Sequence, residues 1–435
     1  MASRIRQHAA LSALGMALAA GAAWAQGGGV NVEKYVAIGD SLTAAFSSGG
    51  LSIEQQADSY PALLHRAFQG VGGPTADFEQ PLVSVPGLPA QLSLQGLFPT
   101  VIAPRSNQSG QPLNLGLQRP YDNLGVPGAR MHDVAATVTN ESNPLFDLVL
   151  RGAGTALQQA LIQQPTFVTV QIGNNDVLAA ATSGIVIDGV TLTPVASFEA
   201  DLQSLVGALA SSGAQIAIAN LPNVTTVPFV TTIPPIVVDE RGQPVLVNGE
   251  PVPLIGPDGP LGPNDHVLLP ASSQALRFGI GIPPFIPGGT GRPLPDNLVL
   301  DAVETGMVQS RVAALNEAIA AVAEEHGAVL VDVNALFDGI VNNGLTLGGI
   351  DFSADFLTGG LFSYDGVHPT RLGYGVLANA FIEAINQTFD VAVPLVDLER
   401  LAFEPPTSAA AADAGVHTTS ADNRWTPFVY SREAW

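Results

Sequence analysis

Cysteine is absent from the 435 residues, and lysine occurs once, at Lys34. Without cysteine there is no disulfide framework, no thiolate metal site, no Cys nucleophile and no lipidated cysteine anchor. A phosphate-binding Gly-Lys-[Ser/Thr] loop and a Ser-Lys dyad both need a lysine in a setting that Lys34 does not have. Bases are scarce too. Lys and Arg number 16 against 38 Asp and Glu, for a net charge of −22. That balance argues against a nucleic-acid partner, because such binding rests on clustered Lys and Arg. Chemistry is left to Ser, His, Asp, Glu, Asn and the backbone. What the chain has in excess is Gly (46) and Pro (34), together 18 % of all residues, against about 12 % in average usage. With 46 % hydrophobic and only 12 % charged residues, the excess signals long ordered loops rather than disorder.

Residues 1–25 carry the marks of an export signal: Arg4, Arg6 and His8, an Ala/Leu-rich run over 9–22, and the small-residue site Ala23-Trp24-Ala25. The apolar run is short for a membrane span, which needs about 20 residues. Cleavage near Ala25-Gln26 is expected, with the product periplasmic or secreted and no integral span in the mature chain. Downstream, runs rich in β-branched residues alternate with helix-spaced ones, the pattern of parallel βαβ units. Strands are expected over 34–38, 166–172, 216–219 and 328–333, with a short one over 121–124. Helices are expected over 59–68, 198–210, 303–325 and 371–389. Two Pro-rich insertions, 77–119 and 222–297, interrupt this frame. They account for one domain over 30–398 filling so much chain, followed by a tail over 399–435.

With Cys and Lys excluded, a Ser nucleophile with a His base is the natural search. Ser41 follows the first strand on a Gly39-Asp40-Ser41 turn, which exposes a side chain at the carboxyl edge of a parallel sheet. Asp365-Gly366-Val367-His368 precedes the last helix, and an Asp three residues before a His can fix its tautomer locally. Gly173-Asn174-Asn175-Asp176 follows the 166–172 strand and can aim an amide at the same edge. In Asn123-Leu124-Gly125-Val126-Pro127-Gly128 a glycine can bring a backbone N–H close to a substrate. Taken singly, each of these also reads as a helix cap, an Asx turn or a Pro-Gly turn. His132-Asp133 follows the glycine loop, where it reads either as a pair approaching the pocket or as a solvated loop pair. The other histidines are scattered, without metal-ligand spacing, so neither a metal nor a cofactor is expected.

Together, in the order Ser, Gly, Asn, Asp-x-x-His, these four blocks resemble those of the GDSL or SGNH hydrolases, a family of esterases and lipases. The resemblance covers residues 35–386 apart from the insertions. It implies a flavodoxin-like three-layer α/β/α sandwich with a central parallel sheet. By position it makes Ser41 the nucleophile, His368 the base and Asp365 its orienting partner. The Ser41 amide, the Gly128 amide and the Asn175 side chain would form the oxyanion hole, with Gly125 a rival to Gly128. The implied activity is hydrolysis of a small-molecule or lipid ester through an acyl-enzyme. A polysaccharide deacetylase of the same fold and a non-catalytic secreted binding protein are the alternatives. The insertions are expected either to wall an acyl pocket, through residues such as Ile236 and Phe285, or simply to cover a sheet end.

Overall fold

A computed structural model describes residues 29–97 and 100–405. The export signal and most of the expected tail lie outside the described residues.

Five short, largely buried strands form the central sheet: β1 (Tyr35–Gly39), β2 (Asn123–Gly125), β3 (Phe167–Gln171), β4 (Gln215–Ala219) and β5 (Val329–Val331). All pairings are parallel, in the order β5-β4-β3-β1-β2. This is the flavodoxin-like order, in which the chain changes direction across the sheet between β1 and β3. The period-two alternation of strand side chains feeds two cores. Val36, Ile38, Val168, Val170, Ile216 and Ile218 enter one apolar cluster, while Tyr35, Ala37, Phe167, Ala217 and Ala219 enter the other. Helices cover both faces, giving a three-layer sandwich.

The helices begin and end where the local chemistry dictates. Ser59 caps the Ala62 N–H at the start of the helix Tyr60–Gln69, whose first turn holds Pro61. Asp301 and Glu304 form a capping box on the 25-residue helix Ala302–His326, which Gly327 stops in the left-handed region. Thr370 caps the helix Arg371–Phe389, which packs on Tyr60–Gln69. There the Tyr60 ring stacks on Phe381 with centroids 4.9 Å apart, a pairing worth about 1 kcal/mol beyond its buried area.

Several elements differ from expectation. The helix Asn175–Ser183 starts inside the Gly173-Asn174-Asn175-Asp176 block, which an Asx turn alone would also suit. Three further short helices, Met131–Ala136, Leu145–Leu150 and Ala156–Leu161, cover one sheet face. The helix Leu398–Phe403 crosses the expected boundary at 398, with Leu401 buried in the core beside Gly375.

The described residues of both insertions pack on the rest of the domain. Residues 77–119 contain a hairpin, Leu92–Leu97 with Thr100–Pro104. Leu88 of this insertion exchanges backbone hydrogen bonds with Leu51. Residues 222–297 build their own apolar cluster around Val237, Val252, Leu254, Val267 and Leu294. No helix among the described residues is long and apolar enough to cross a membrane.

Candidate active site

Strand register decides what meets at the carboxyl edge. Gly39 is in register with Gly125 on one side and with Gln171 on the other. The three strands therefore release Ser41, the Val126–Gly128 loop and the Gly173–Asp176 block at one level, beside the switch point. Gly39 has to be glycine: a Cβ there would lie 2.0 Å from Thr43 Oγ1 and 2.2 Å from the Gln171 carbonyl. A Cβ on Gly125 would meet the Ala44 amide at 2.6 Å. Gly125 is thus a packing glycine, buried under the turn that carries Ser41.

Asp40 caps the short helix Ser41–Ala44 by accepting from the Leu42 N–H at 3.0 Å. Ala45 then turns left-handed (φ 60°) and sends Phe46–Gly50 back over the site. On the other side, Asp365–His368 make a tight turn with Gly366 at φ 71°. Ser41 Oγ lies 2.9 Å from His368 Nε2, and His368 Nδ1 lies 3.0 Å from Asp365 Oδ2. An ionised carboxylate can only accept, so Nδ1 carries the proton and Nε2 accepts from the serine hydroxyl. The Phe46 ring packs against the imidazole, centroids 5.0 Å apart.

Electrostatics support that tautomer. Burial alone would raise the Asp365 carboxyl. The His368 charge and hydrogen bonds, together with the backbone N–H groups of Val367 and His368, outweigh it and hold the carboxyl at about 2. Asp40 behaves oppositely. Burial pushes its carboxyl to about 6, despite bonds from Asn174 and Leu42. Asp176 is likewise raised to about 6 by burial.

The remaining block residues divide by function. Gly128 sits at φ 85° with its backbone exposed, and neither its N–H nor that of Ser41 is spent on a backbone partner among the described residues. Asn175 donates one Nδ2 hydrogen to the Ala129 carbonyl at 2.9 Å, leaving the other free for a ligand. Asn174 instead donates to Asp40 Oδ2 at 2.9 Å. Asn123 braces the glycine loop: its Oδ1 accepts from Gly125 N–H and its Nδ2 donates to the Thr43 carbonyl. His132 is exposed and pairs with Asp201 at 3.1 Å, while Asp133 caps its own helix. Phe285 is 67 % exposed and Ile236 belongs to the insertion's periphery. The large insertion reaches the site elsewhere, where Phe229 N–H donates to the Gly366 carbonyl at 2.8 Å.

Sequence reading missed Phe46, Gly49, Phe229 and Ser363, all of which touch the Asp365–His368 turn, and Ser48, which bonds to Ser363 and Tyr364 just before it. Only the Gly-rich Ser47-Ser48-Gly49-Gly50 stretch gave a signal, and it reads as an ordinary loop.

No curated protein matches the chain. Among solved structures it is similar to Axe2, an acetylxylan esterase from Geobacillus stearothermophilus, at 15 % identity and a TM-score of 0.38, over 82 % of this chain and 96 % of that one. It is similar too to LAE5, an α/β hydrolase enzyme from the metagenome of Lake Arreo, Spain, at 16 % identity and a TM-score of 0.36, over 83 % of this chain and 98 % of that one. The family of GDSL-like lipases/acylhydrolases matches residues 35–381, a span that holds every block described above. The chain is a member of the GDSL-like lipase/acylhydrolase family, and a hydrolase of carboxylic esters.

Proposed function

We propose that Ser41, His368 and Asp365 carry the hydrolysis through an acyl-enzyme on Ser41. The observation that supports this most is the continuous line of hydrogen bonds from Ser41 Oγ through the imidazole to Asp365 Oδ2, at 2.9 and 3.0 Å. In this reading Ser41 Oγ attacks the ester carbonyl carbon as its proton passes to His368 Nε2. The resulting oxyanion takes hydrogen bonds from the backbone N–H groups of Ser41 and Gly128 and from the Asn175 amide. His368 returns the proton to the departing alcohol. A water molecule, activated by the same nitrogen, then releases the acid and restores Ser41. Asp365 remains a carboxylate throughout and steadies the imidazolium.

The buried carboxylates Asp40 and Asp176 have structural duties in this scheme. Asp40 caps the serine turn, and Asp176 accepts from the Met131 N–H at 2.9 Å and so anchors the chain beyond the glycine loop. The aromatic Phe46 beside His368 favours an ester with an apolar group next to the carbonyl. The N-terminal pattern over residues 1–25 supports export, which N-terminal sequencing of the protein recovered outside the cytoplasm tests: a mature chain starting at Gln26 is expected.

The deciding experiment is a hydrolysis panel running from acetyl to long-chain esters, with acetylated xylan included and Ser41→Ala as control. Mass spectrometry of the quenched enzyme should show acylation on the peptide containing Ser41. Undiminished turnover by Ser41→Ala would overturn the assignment. Turnover of acetylated xylan alone would move the substrate class to polysaccharide.

A further inference from the structure

Asp365 receives more hydrogen bonds than orienting a histidine requires. Oδ1 accepts from the N–H groups of Val367 (2.9 Å) and His368 (2.8 Å) and from Ser363 Oγ (3.2 Å). Oδ2 accepts from His368 Nδ1 (3.0 Å) and from the Gly49 N–H (2.8 Å). The Val367 and His368 donors belong to the turn itself and would accompany any Asx turn. The Gly49 N–H arrives from 316 residues away, and the Ser363 hydroxyl links the two segments.

Ser363 Oγ also accepts from the Ser48 N–H at 2.8 Å, and Ser48 Oγ in turn accepts from the Tyr364 N–H at 3.4 Å. Ser47 Oγ donates to the Pro369 carbonyl at 3.1 Å, closing the same seam. The chain adopts costly geometry to reach these partners. Ala45 (φ 60°) and Ser48 (φ 52°) are both left-handed although neither is glycine. Such conformations persist where surrounding contacts over-determine them, and they gather at functional sites.

Rotation of the Asp365 carboxylate about its Cβ–Cγ bond would swing Oδ2 away from Nδ1. The turn's own N–H groups hold only Oδ1. Gly49 and Ser363 are placed to fix both oxygens at once. We infer that Ser363 and the Ser48–Gly49 turn are positioning residues for catalysis: they lock the torsion of Asp365 and, through it, the aim of His368 Nε2 at Ser41. This inference rests on the proposed roles of Ser41, Asp365 and His368. None of the three added residues touches the reacting atoms.

The test compares kcat and KM for p-nitrophenyl acetate with the thermal unfolding midpoint in four variants. Ser363→Ala should lower kcat at least tenfold with KM within twofold, since misaim of a catalytic group costs rate more than binding. Ser363→Thr, which keeps the hydroxyl, should recover most of that loss. Ser48→Gly keeps the backbone N–H and relieves the left-handed strain but loosens the turn. It should lower kcat several-fold while the unfolding midpoint stays level or rises, a split that a purely structural role would not produce. Ser41→Ala serves as the reference for the triad. If Ser41→Ala is inactive while folded Ser363→Ala keeps kcat within twofold, the positioning inference is wrong and the triad stands. Should Ser363→Ala fail to fold, a wild-type kcat in Ser48→Gly overturns the inference just as well. Activity surviving in Ser41→Ala would instead remove the triad reading on which it rests.

Discussion

Asn174 donates its side-chain amide to the buried carboxylate of Asp40 at 2.9 Å, tying the end of β3 to the turn that carries Ser41. Its neighbour Asn175 points elsewhere, to the Ala129 carbonyl beside the glycine loop. Adjacent residues of one type therefore separate into a brace and an amide donor. Asn175→Ala should lose about 10²–10³ in kcat, the usual cost of one oxyanion donor, with a nearly unchanged unfolding midpoint. Asn174→Ala should do the reverse: it leaves Asp40 short of a donor, so the midpoint falls while kcat changes less. Steady-state kinetics and thermal unfolding on the two variants check this. Equal effects on both quantities would refute the division.

Replacement of either Ser41 or His368 by alanine should each lower kcat by about 10³ or more, and the double variant should lose little beyond the worse single one. Groups that act as one unit are strongly non-additive. Multiplicative losses in the double variant would mean that the 2.9 Å contact between them has no part in the reaction.

The glycine at the end of β1 is a steric requirement. A Cβ at Gly39 would fall 2.2 Å from the Gln171 backbone carbonyl, where no flexible side chain can yield. Gly39→Ala should therefore destabilise the fold by about 1–3 kcal/mol, the usual range for overpacking, or more, because the obstruction is strand backbone. Gly189→Ala makes a useful comparison, since a Cβ there meets nothing within 4 Å and the cost is only that of its positive φ. Urea unfolding of the pair should rank Gly39→Ala as clearly the more damaging.

Asp40 and Asp176 set a pH dependence whose sign follows from burial. Both carboxyls are raised from the ordinary 3.8 to about 6 in the folded chain. The folded state then holds protons that the unfolded state has released. Stability from these groups falls as pH rises from about 4 to about 6 and is level above that, by up to about 3 kcal/mol for each. Asp365, lowered to about 2, works the other way. Its contribution is present above about 4 and is lost as pH falls through about 2. Asp176→Asn should accordingly raise the unfolding midpoint at pH 8, with the advantage shrinking towards pH 4.5. A pH-independent difference would show that desolvation of this carboxylate is not what the fold pays for at neutral pH.

The strands were readable because β-branched runs such as residues 166–172 are both strongly apolar and bounded by Gly or polar turns. Periodicity likewise located the helix Arg371–Phe389, where Leu, Ile and Phe recur on one face over five turns. The helices within residues 131–161 escaped because each is only six residues long, too short to display a 3.6-residue period. Gly173-Asn174-Asn175-Asp176 has the composition of a turn, and a helix starts inside it because Val177, Ala180 and Ala181 are buried against the sheet face. Ser41, His368, Asp365, Gly128 and Asn175 were nameable because each falls in one of four short blocks whose order resembles that of the GDSL or SGNH hydrolases. Ser363 and Gly49 were not. A serine two residues before an aspartate is ordinary turn chemistry, and its meaning comes from a partner segment that only tertiary structure brings near.

Ser41 and the histidine bonded to it are separated by 327 positions. A chain synthesised amino end first exposes its serine early, yet the imidazole arrives only with the final strand-to-helix segment. In the proposed mechanism the serine has no base to take its proton until the helix Arg371–Phe389 docks. On that reading the order of the blocks keeps the enzyme latent during its own production, and a fragment interrupted before residue 368 is expected to lack ester hydrolysis.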